Sequence, residues 1–239
     1  RSSDLISADG LKATACLAPN PRAICSFEYI YFARPDSEIN GVSVHDARKA
    51  FGRRIFEESP VEADIVVGVP DSGIASAIGY AEASGLPYEL GMMKNRYVGR
   101  TFIQPSQELR QQGVRMKLSP VRSAITGKRL VLVDDSIVRG TTSGRIVRML
   151  KDAGAKEIHL RITSPPITHS CLYGIDTARR KELIAAEYEV SAIQEKIGAD
   201  SLYFLSAEGM VEATGRNDSS PNRGHCLACF NGDYPTPTS

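Results

Sequence analysis

Long apolar runs are missing from this sequence. None exceeds a handful of residues, whereas a helix crossing a bilayer needs about 20, so no membrane partner is expected. Neither sign of charge prevails. Lys and Arg number 29 against 28 Asp and Glu, a formal net charge of +1 with a sequence pI near 7.8. That excludes a global basic field for holding nucleic acid, and any polyanion site must be local. Cysteines are few and odd in number, five in 239 residues, which argues against a secreted disulfide scaffold. The first residues carry no secretory-signal pattern, and a cytoplasmic location is expected. Repeats and low-complexity tracts are absent as well. What is present suffices for an ordinary core: 42% of residues are hydrophobic and 24% charged, the profile of one large globular domain or a domain with appendages.

Patterning along the chain predicts an α/β architecture. Residues 1–23 mix Ser, Asp, Gly, Pro and Asn around one strand-like run at 11–17 and read as an edge strand and a loop. The aromatic and β-branched content of residues 27–32 (FEYIYF) predicts a strand. Val44, Ala47, Phe51 and Ile55 follow helical spacing, with Ser43 as N-cap and Pro60 as terminator. Strands are then predicted at 64–69, 87–90, 129–133 and 157–162, and helices at 73–84 and 141–153. Strands apolar on both faces and alternating with helices indicate a doubly wound, mainly parallel sheet over residues 25–165. Residues 94–122 break the rhythm. They carry seven basic residues together with Gly99, Pro105 and Gly113, and read as a long mobile loop. Past Pro165-Pro166, an acidic helix at 181–196 and a tail ending in Cys226-Leu-Ala-Cys229 form a Cys-rich C-terminal extension, residues 166–239.

The chemistry concentrates in residues 130–144, LVLVDDSIVRGTTSG. A buried strand delivers Asp134 and Asp135 at its C-terminal end, where doubly wound sheets bind ligands. The Gly140-Thr141-Thr142 turn then opens a helix whose free N–H groups, hydroxyls and dipole form a phosphate cradle. Gly140 lets the backbone approach the anion. Two carboxylates beside such a cradle suit a sugar phosphate, the acids accepting from ribose hydroxyls directly or through a metal. Solvated acids before an ordinary N-capped helix are the plainer reading, but acids, glycine and two threonines in one strand–turn–helix favour the first. A Walker loop is excluded, because Gly127-Lys128 precedes the strand and lacks the flanking residues of that motif. Residues 69–73 (VPDSG) form a turn and a helix start. Cys226 and Cys229 have metal-binding spacing, yet two thiols do not close a tetrahedral site. Cys25 and Cys171 are the candidates to complete it, leaving Cys16 over, and an all-Cys set fits zinc or an iron–sulfur cluster. His45, His159, His169 and His225 show no ligand spacing and read as surface or core residues.

The run Val-Asp-Asp-Ser-Ile-Val-Arg-Gly-Thr-Thr-Ser resembles the phosphoribosylpyrophosphate (PRPP) signature of type I phosphoribosyltransferases. More narrowly, the chain resembles the glutamine PRPP amidotransferases. Residues 27–37 (FEYIYFARPDS), 69–73 (VPDSG), 94–103 (KNRYVGRTFI) and 226–230 (CLACF) carry this match in order. The resemblance implies a type I phosphoribosyltransferase fold and transfer of phosphoribose from PRPP to ammonia, the first committed step of purine synthesis. It assigns the pyrophosphate to Pro70, Asp71, Ser72 and Gly73, and the ribose and phosphate to Asp134, Asp135, Ser136, Arg139, Gly140, Thr141, Thr142 and Ser143. Mg2+ is expected on Ser72, Asp134 and Asp135. Lys94, Arg96 and Arg100 belong to a lid over the leaving group, which also helps to channel ammonia. A structural [4Fe-4S] cluster is implied on Cys25, Cys171, Cys226 and Cys229. Members of this family begin with a glutaminase domain, so residues 1–24 are expected to be linker from it. Purine-nucleotide feedback and a homo-tetramer are further implications. Two alternatives share the core motif: a purine salvage phosphoribosyltransferase, which leaves the Cys-rich tail and residues 27–32 unexplained, and a non-catalytic PRPP-sensing regulator, which would want a DNA-binding region and a basic face.

Overall fold

The computed structural model describes residues 2–15, 21–95, 118–175, 179–216 and 219–236. At its centre lies a parallel sheet of four strands in the order β11-β10-β9-β6: β6 (Ile65–Gly68), β9 (Arg129–Asp134), β10 (Glu157–Ile162) and β11 (Ser201–Phe204). Side chains alternate across it as the strand period requires. Val66, Val131 and Val133 meet Phe51, Ile55 and Tyr80 on one face. Ile65, Val67, Leu130 and Leu132 meet Ile146, Val147 and Leu150 on the other. Both faces are buried, which is why these strands read as unbroken apolar runs.

The covering helices are α1 (Val44–Glu58), α2 (Ile74–Ser84), α3 (Thr141–Asp152), α4 (Val190–Ile197) and α5 (Ala207–Ala213). Ser43 caps α1 as expected, its hydroxyl accepting from the amide of Asp46. Smaller pairs surround the core. β1 (Ser2–Ser7) and β2 (Gly10–Ala15) form an antiparallel hairpin that leaves Leu5, Ile6 and Leu11 exposed. β4 (Glu38–Ile39) and β5 (Val42–Ser43) lead into α1, and β7 (Met92–Lys94) pairs antiparallel with β8 (Leu118–Pro120). β3 (Ile24–Cys25) lies parallel to β12 (His225–Cys226), tying the tail to the start of the core.

Four local expectations change. Residues 28–32 are not a strand but a single π-helical turn, Glu28–Phe32. Tyr29 and Ile30 are 0% and 2% exposed while Tyr31 and Phe32 are 54% and 51% exposed, a paired in–out pattern that no alternating strand can produce. Residues 87–90 contribute only one isolated bridge, Tyr88 to Val66, rather than a strand. The acidic helix at 181–196 is broken into two short turns and α4, because extended Leu183 and Tyr188 turn the chain and bury Leu183. Finally, β11 joins the central sheet from beyond residue 165, pairing with β10 from His159–Ser201 to Ile162–Phe204. The expected edge strand near the start of the chain is one arm of the Ser2–Ala15 hairpin, and Cys16 lies outside the described residues.

Helices α1 and α2 pack at backbone contact. A Cβ on Gly52 would sit 1.8 Å from the Ser76 carbonyl oxygen, and one on Gly79 would sit 2.0 Å from that of Lys49. Both clashes are with backbone, so a larger residue must separate the helices. Gly79→Ala is therefore expected to lower stability by about 3 kcal/mol, read as a lower urea midpoint at unchanged m-value. A loss within experimental error would mean that the two helices do not pack this closely.

Candidate active site

Strands β6 and β9 run in flush register, Gly68 beside Val133, so the loops that follow them emerge side by side. β9 ends on Asp134, and Asp134 and Asp135 are each only 8% exposed. The amide of Asp135 donates to Asp134 Oδ1 at 2.9 Å, and the Thr163 amide donates to the Asp134 carbonyl oxygen at 3.0 Å. Ser136 Oγ donates to Asp135 Oδ1 at 2.5 Å, and the Ser72 hydroxyl of the neighbouring loop also favours the charged form of that carboxylate. Burial, and then the charge of Asp135, holds the Asp134 carboxyl well above the usual carboxylate range. Burial also raises Asp135, opposed by the Ser136 and Ser72 hydroxyls and by the Arg48 guanidinium. Two such groups side by side favour any cation placed between or in front of them.

Each flanking loop ends at a helix N-terminus. Gly140, at φ +75°, caps α3, and the first helical bond runs from the Gly144 amide to the Gly140 carbonyl at 2.9 Å. The amides of Thr141, Thr142 and Ser143 are thus the unpaired first-turn donors of an α-helix. A Cβ on Gly140 would also lie 2.8 Å from Ile184 Cδ1, so glycine is required there twice over. In the other loop, the Val69 amide bonds the Val133 carbonyl at 2.9 Å and the Gly73 amide bonds the Val69 carbonyl at 2.8 Å. A Cβ on Gly73 would meet Val133 O at 2.4 Å, so only glycine brings the α2 N-terminus this close to β9. The Pro70–Asp71 peptide between them is cis. Lys94, at the end of β7, reaches this loop and bonds Asp71 Oδ2 at 2.6 Å. Of the expected lid, Lys94 is therefore beside the 70–73 loop, while Arg96 and Arg100 lie outside the described residues.

Three contributors escape a reading of the sequence. Arg48 of α1 is buried, donating from Nε to the Tyr29 carbonyl and from Nη2 to that of Ala33, both at 2.8 Å, and its charge acts on Asp135. A charged residue on the buried stripe of Val44, Ala47 and Phe51 was the signal that could have found it. Thr163 anchors the Asp134 backbone. Glu182 takes the Arg139 guanidinium, with Nε and Nη2 at 2.9 and 2.6 Å from Oε2. It lay inside a stretch expected to be plain helix, and nothing in the sequence marks it.

The tail forms a second centre. Cys25 and Cys226 face each other in the β3–β12 register, and the Cys229 carbonyl accepts the amides of Thr168 and His169, each at 3.0 Å. Cys25, Cys171, Cys226 and Cys229 are all free thiols. Burial is the first cause raising Cys25, Cys226 and Cys229, and Cys229 also feels the charges of Cys25, Cys226 and Cys171. The four expected sulfurs are thus neighbours. Among the described residues, no group of three or more His, Cys, Asp or Glu side chains is disposed to hold a metal ion.

Residues 40–164 match the phosphoribosyl transferase domain family. Over 232 residues the chain is 61% identical to the amidophosphoribosyltransferase of Bacillus subtilis, covering 97% of this chain and 49% of that relative. The Archaeoglobus fulgidus amidophosphoribosyltransferase is 60% identical over 214 residues, 90% of this chain and 46% of that one. The solved structure of the B. subtilis glutamine PRPP amidotransferase complexed with ADP and GMP superposes with a TM-score of 0.89 at 61% identity, covering 98% of this chain and 51% of that chain. The chain spans about half the length of the curated relatives it matches.

The raised carboxyl of Asp134 has a consequence for stability. It contributes stability below the ordinary carboxylate value and loses it as pH climbs through its own raised value. Asparagine has no charge to bury. In metal- and nucleotide-free protein, Asp134→Asn should raise the thermal midpoint, with the gain negligible near about pH 4 and growing towards about pH 8. Calorimetry across that range checks it, and a gain that shrank with rising pH would contradict the burial of the charge.

Proposed function

The chain belongs to the phosphoribosyltransferase family, and from that premise we propose that it moves the phosphoribosyl group of PRPP onto ammonia, releasing pyrophosphate and giving 5-phosphoribosylamine. One observation carries the reading: two adjacent buried acids stand between two glycine-dependent helix N-termini at flush strand ends. The amides of residues 141–143 suit the 5-phosphate, and those of Asp71 and Ser72, with Lys94, suit the departing pyrophosphate. Asp134 and Asp135 accept from the ribose hydroxyls and favour the positive charge that grows on the ring as the anomeric bond to pyrophosphate breaks. Ammonia brings its own lone pair to the anomeric carbon and loses a proton to solvent afterwards, so no dedicated general base is needed.

The donor set fits Mg2+. Two carboxylates and the Ser72 hydroxyl offer hard oxygens at one or two positions, and Mg2+ completes its shell from substrate phosphates and water. When bound, the ion supplies charge neutralisation for the leaving group. The sulfur group fits a [4Fe-4S] cluster. Four thiolates, one to each iron, are the usual ligand set of such a cluster, and Cys25, Cys171, Cys226 and Cys229 supply four. A cluster would stitch the tail to the start of the core, a structural task.

In the wider reading, ammonia comes from glutamine hydrolysed by an N-terminal glutaminase domain, and the enzyme works as a cytoplasmic tetramer. Purine nucleotides carry the same 5-phosphate and suit the same cradle as feedback inhibitors. The similar B. subtilis protein was solved with ADP and GMP.

The test is pyrophosphate release from PRPP with Mg2+ and an ammonium salt. Asp134→Asn is expected to lower kcat at least about 100-fold, with purine-nucleotide affinity falling far less. Equal losses in both would remove the transition-state role, and turnover with hypoxanthine or adenine in place of ammonia would favour a salvage enzyme. Protein purified without oxygen should be brown, with iron and acid-labile sulfide in equal amounts; zinc without sulfide would refute the cluster.

A further inference from the structure

The family resemblance gives Arg139 to the substrate phosphate, but Glu182, which bonds it, has no part in the chemistry derived so far. Arg139 lies in the turn between the acids and the phosphate cradle, and its side chain is 57% exposed. Left alone, such a guanidinium would sample many rotamers. Here one oxygen, Glu182 Oε2, takes both Nε–H and one Nη2–H. Of the five guanidinium N–H donors, the two on Nη1 and the second on Nη2 remain for an anion.

Glu182 is itself anchored on both sides of its partner. It ends the short turn Arg180–Glu182, and its amide bonds the Arg179 carbonyl at 2.7 Å. Two residues on, the Ile184 amide donates to the Val138 carbonyl at 2.9 Å. The Ile184 side chain rests against Gly140, 2.8 Å from where a Cβ would stand. Residues 138 and 140, which flank Arg139, are thus gripped by the segment that presents Glu182. An isolated exposed ion pair contributes little to stability, so stability does not account for this arrangement.

We propose that Glu182 is a positioning residue: it holds the Arg139 guanidinium over the mouth of the cradle so that the remaining N–H donors meet the 5-phosphate of the phosphoribosyl substrate. The inference rests on the function proposed above. Preorganising a long side chain removes the ordering cost from the binding step. The 5-phosphate does not react, so its contacts persist from ground state to transition state and act on KM rather than kcat.

The experiment is steady-state kinetics of the intact protein with PRPP, ammonia and Mg2+. Glu182→Gln should raise the KM for PRPP about three- to tenfold with kcat within about twofold, and Arg139→Met should do the same. The double variant should be no worse than Arg139→Met alone, since the glutamate acts only through the arginine. Thermal midpoints of the unliganded variants should match wild type, whereas a merely structural pair would shift them and leave KM alone. An unchanged or lowered KM in Glu182→Gln, a fall in kcat at constant KM, or additive losses in the double variant would each overturn the proposal. If the wild type released no pyrophosphate, the functional reading would fail. Calorimetric titration with ribose 5-phosphate would then judge the pair on its own, weaker binding to Glu182→Gln supporting it and equal binding refuting it.

Discussion

Two carboxylates forced together at the buried end of one strand are the constraint around which the rest is arranged. Asp134 and Asp135 cannot comfortably both be charged in a place so poor in water. The surroundings answer with positive character on every side: the N-terminal ends of α2 and α3, the buried guanidinium of Arg48, and the hydroxyls of Ser72 and Ser136. The division of labour follows. The acids favour a cation, whether ion or electron-poor sugar ring, while the helix ends favour anions, and the phosphoribosyl substrate proposed above carries both kinds of group.

That arrangement depends on close approach. Gly73 brings α2 against the Val133 carbonyl, and Gly140 turns the chain into α3 beneath Ile184. Either Cβ would widen the gap between the two turns, which in the proposed reaction must reach one substrate. The α1–α2 contact at Gly52 and Gly79 continues the same logic away from the site. It sets where α2 begins, and so where its first amides point.

The sequence showed the parts of this that are local. The strands of the parallel core were legible because both their faces are buried, leaving apolar runs with no polar alternation to confuse them. The acids, glycine and threonines of 134–143 were legible because one strand–turn–helix carries them all. Residues 28–32 were misread because aromatic and β-branched content reports burial, and burial here serves a helical turn whose carbonyls Arg48 takes up. β11 is four residues long, with only Leu202 and Phe204 fully buried, too little pattern to stand out. Arg48, Thr163 and Glu182 reach the site through tertiary packing from distant segments, and local pattern does not encode such meetings.

The β3–β12 pairing joins residues some two hundred positions apart. Ser26 Oγ bonds the Cys226 carbonyl at 2.8 Å, and the Phe27 and Phe230 rings stack with centroids 5.8 Å apart. Because the two strands run parallel, tension applied from upstream of one and downstream of the other drags them past each other along their length. Every contact in the clasp then bears load at once instead of opening one after another. A protein-unfolding machine that seized the tail would meet this mechanical resistance before it reached the central sheet.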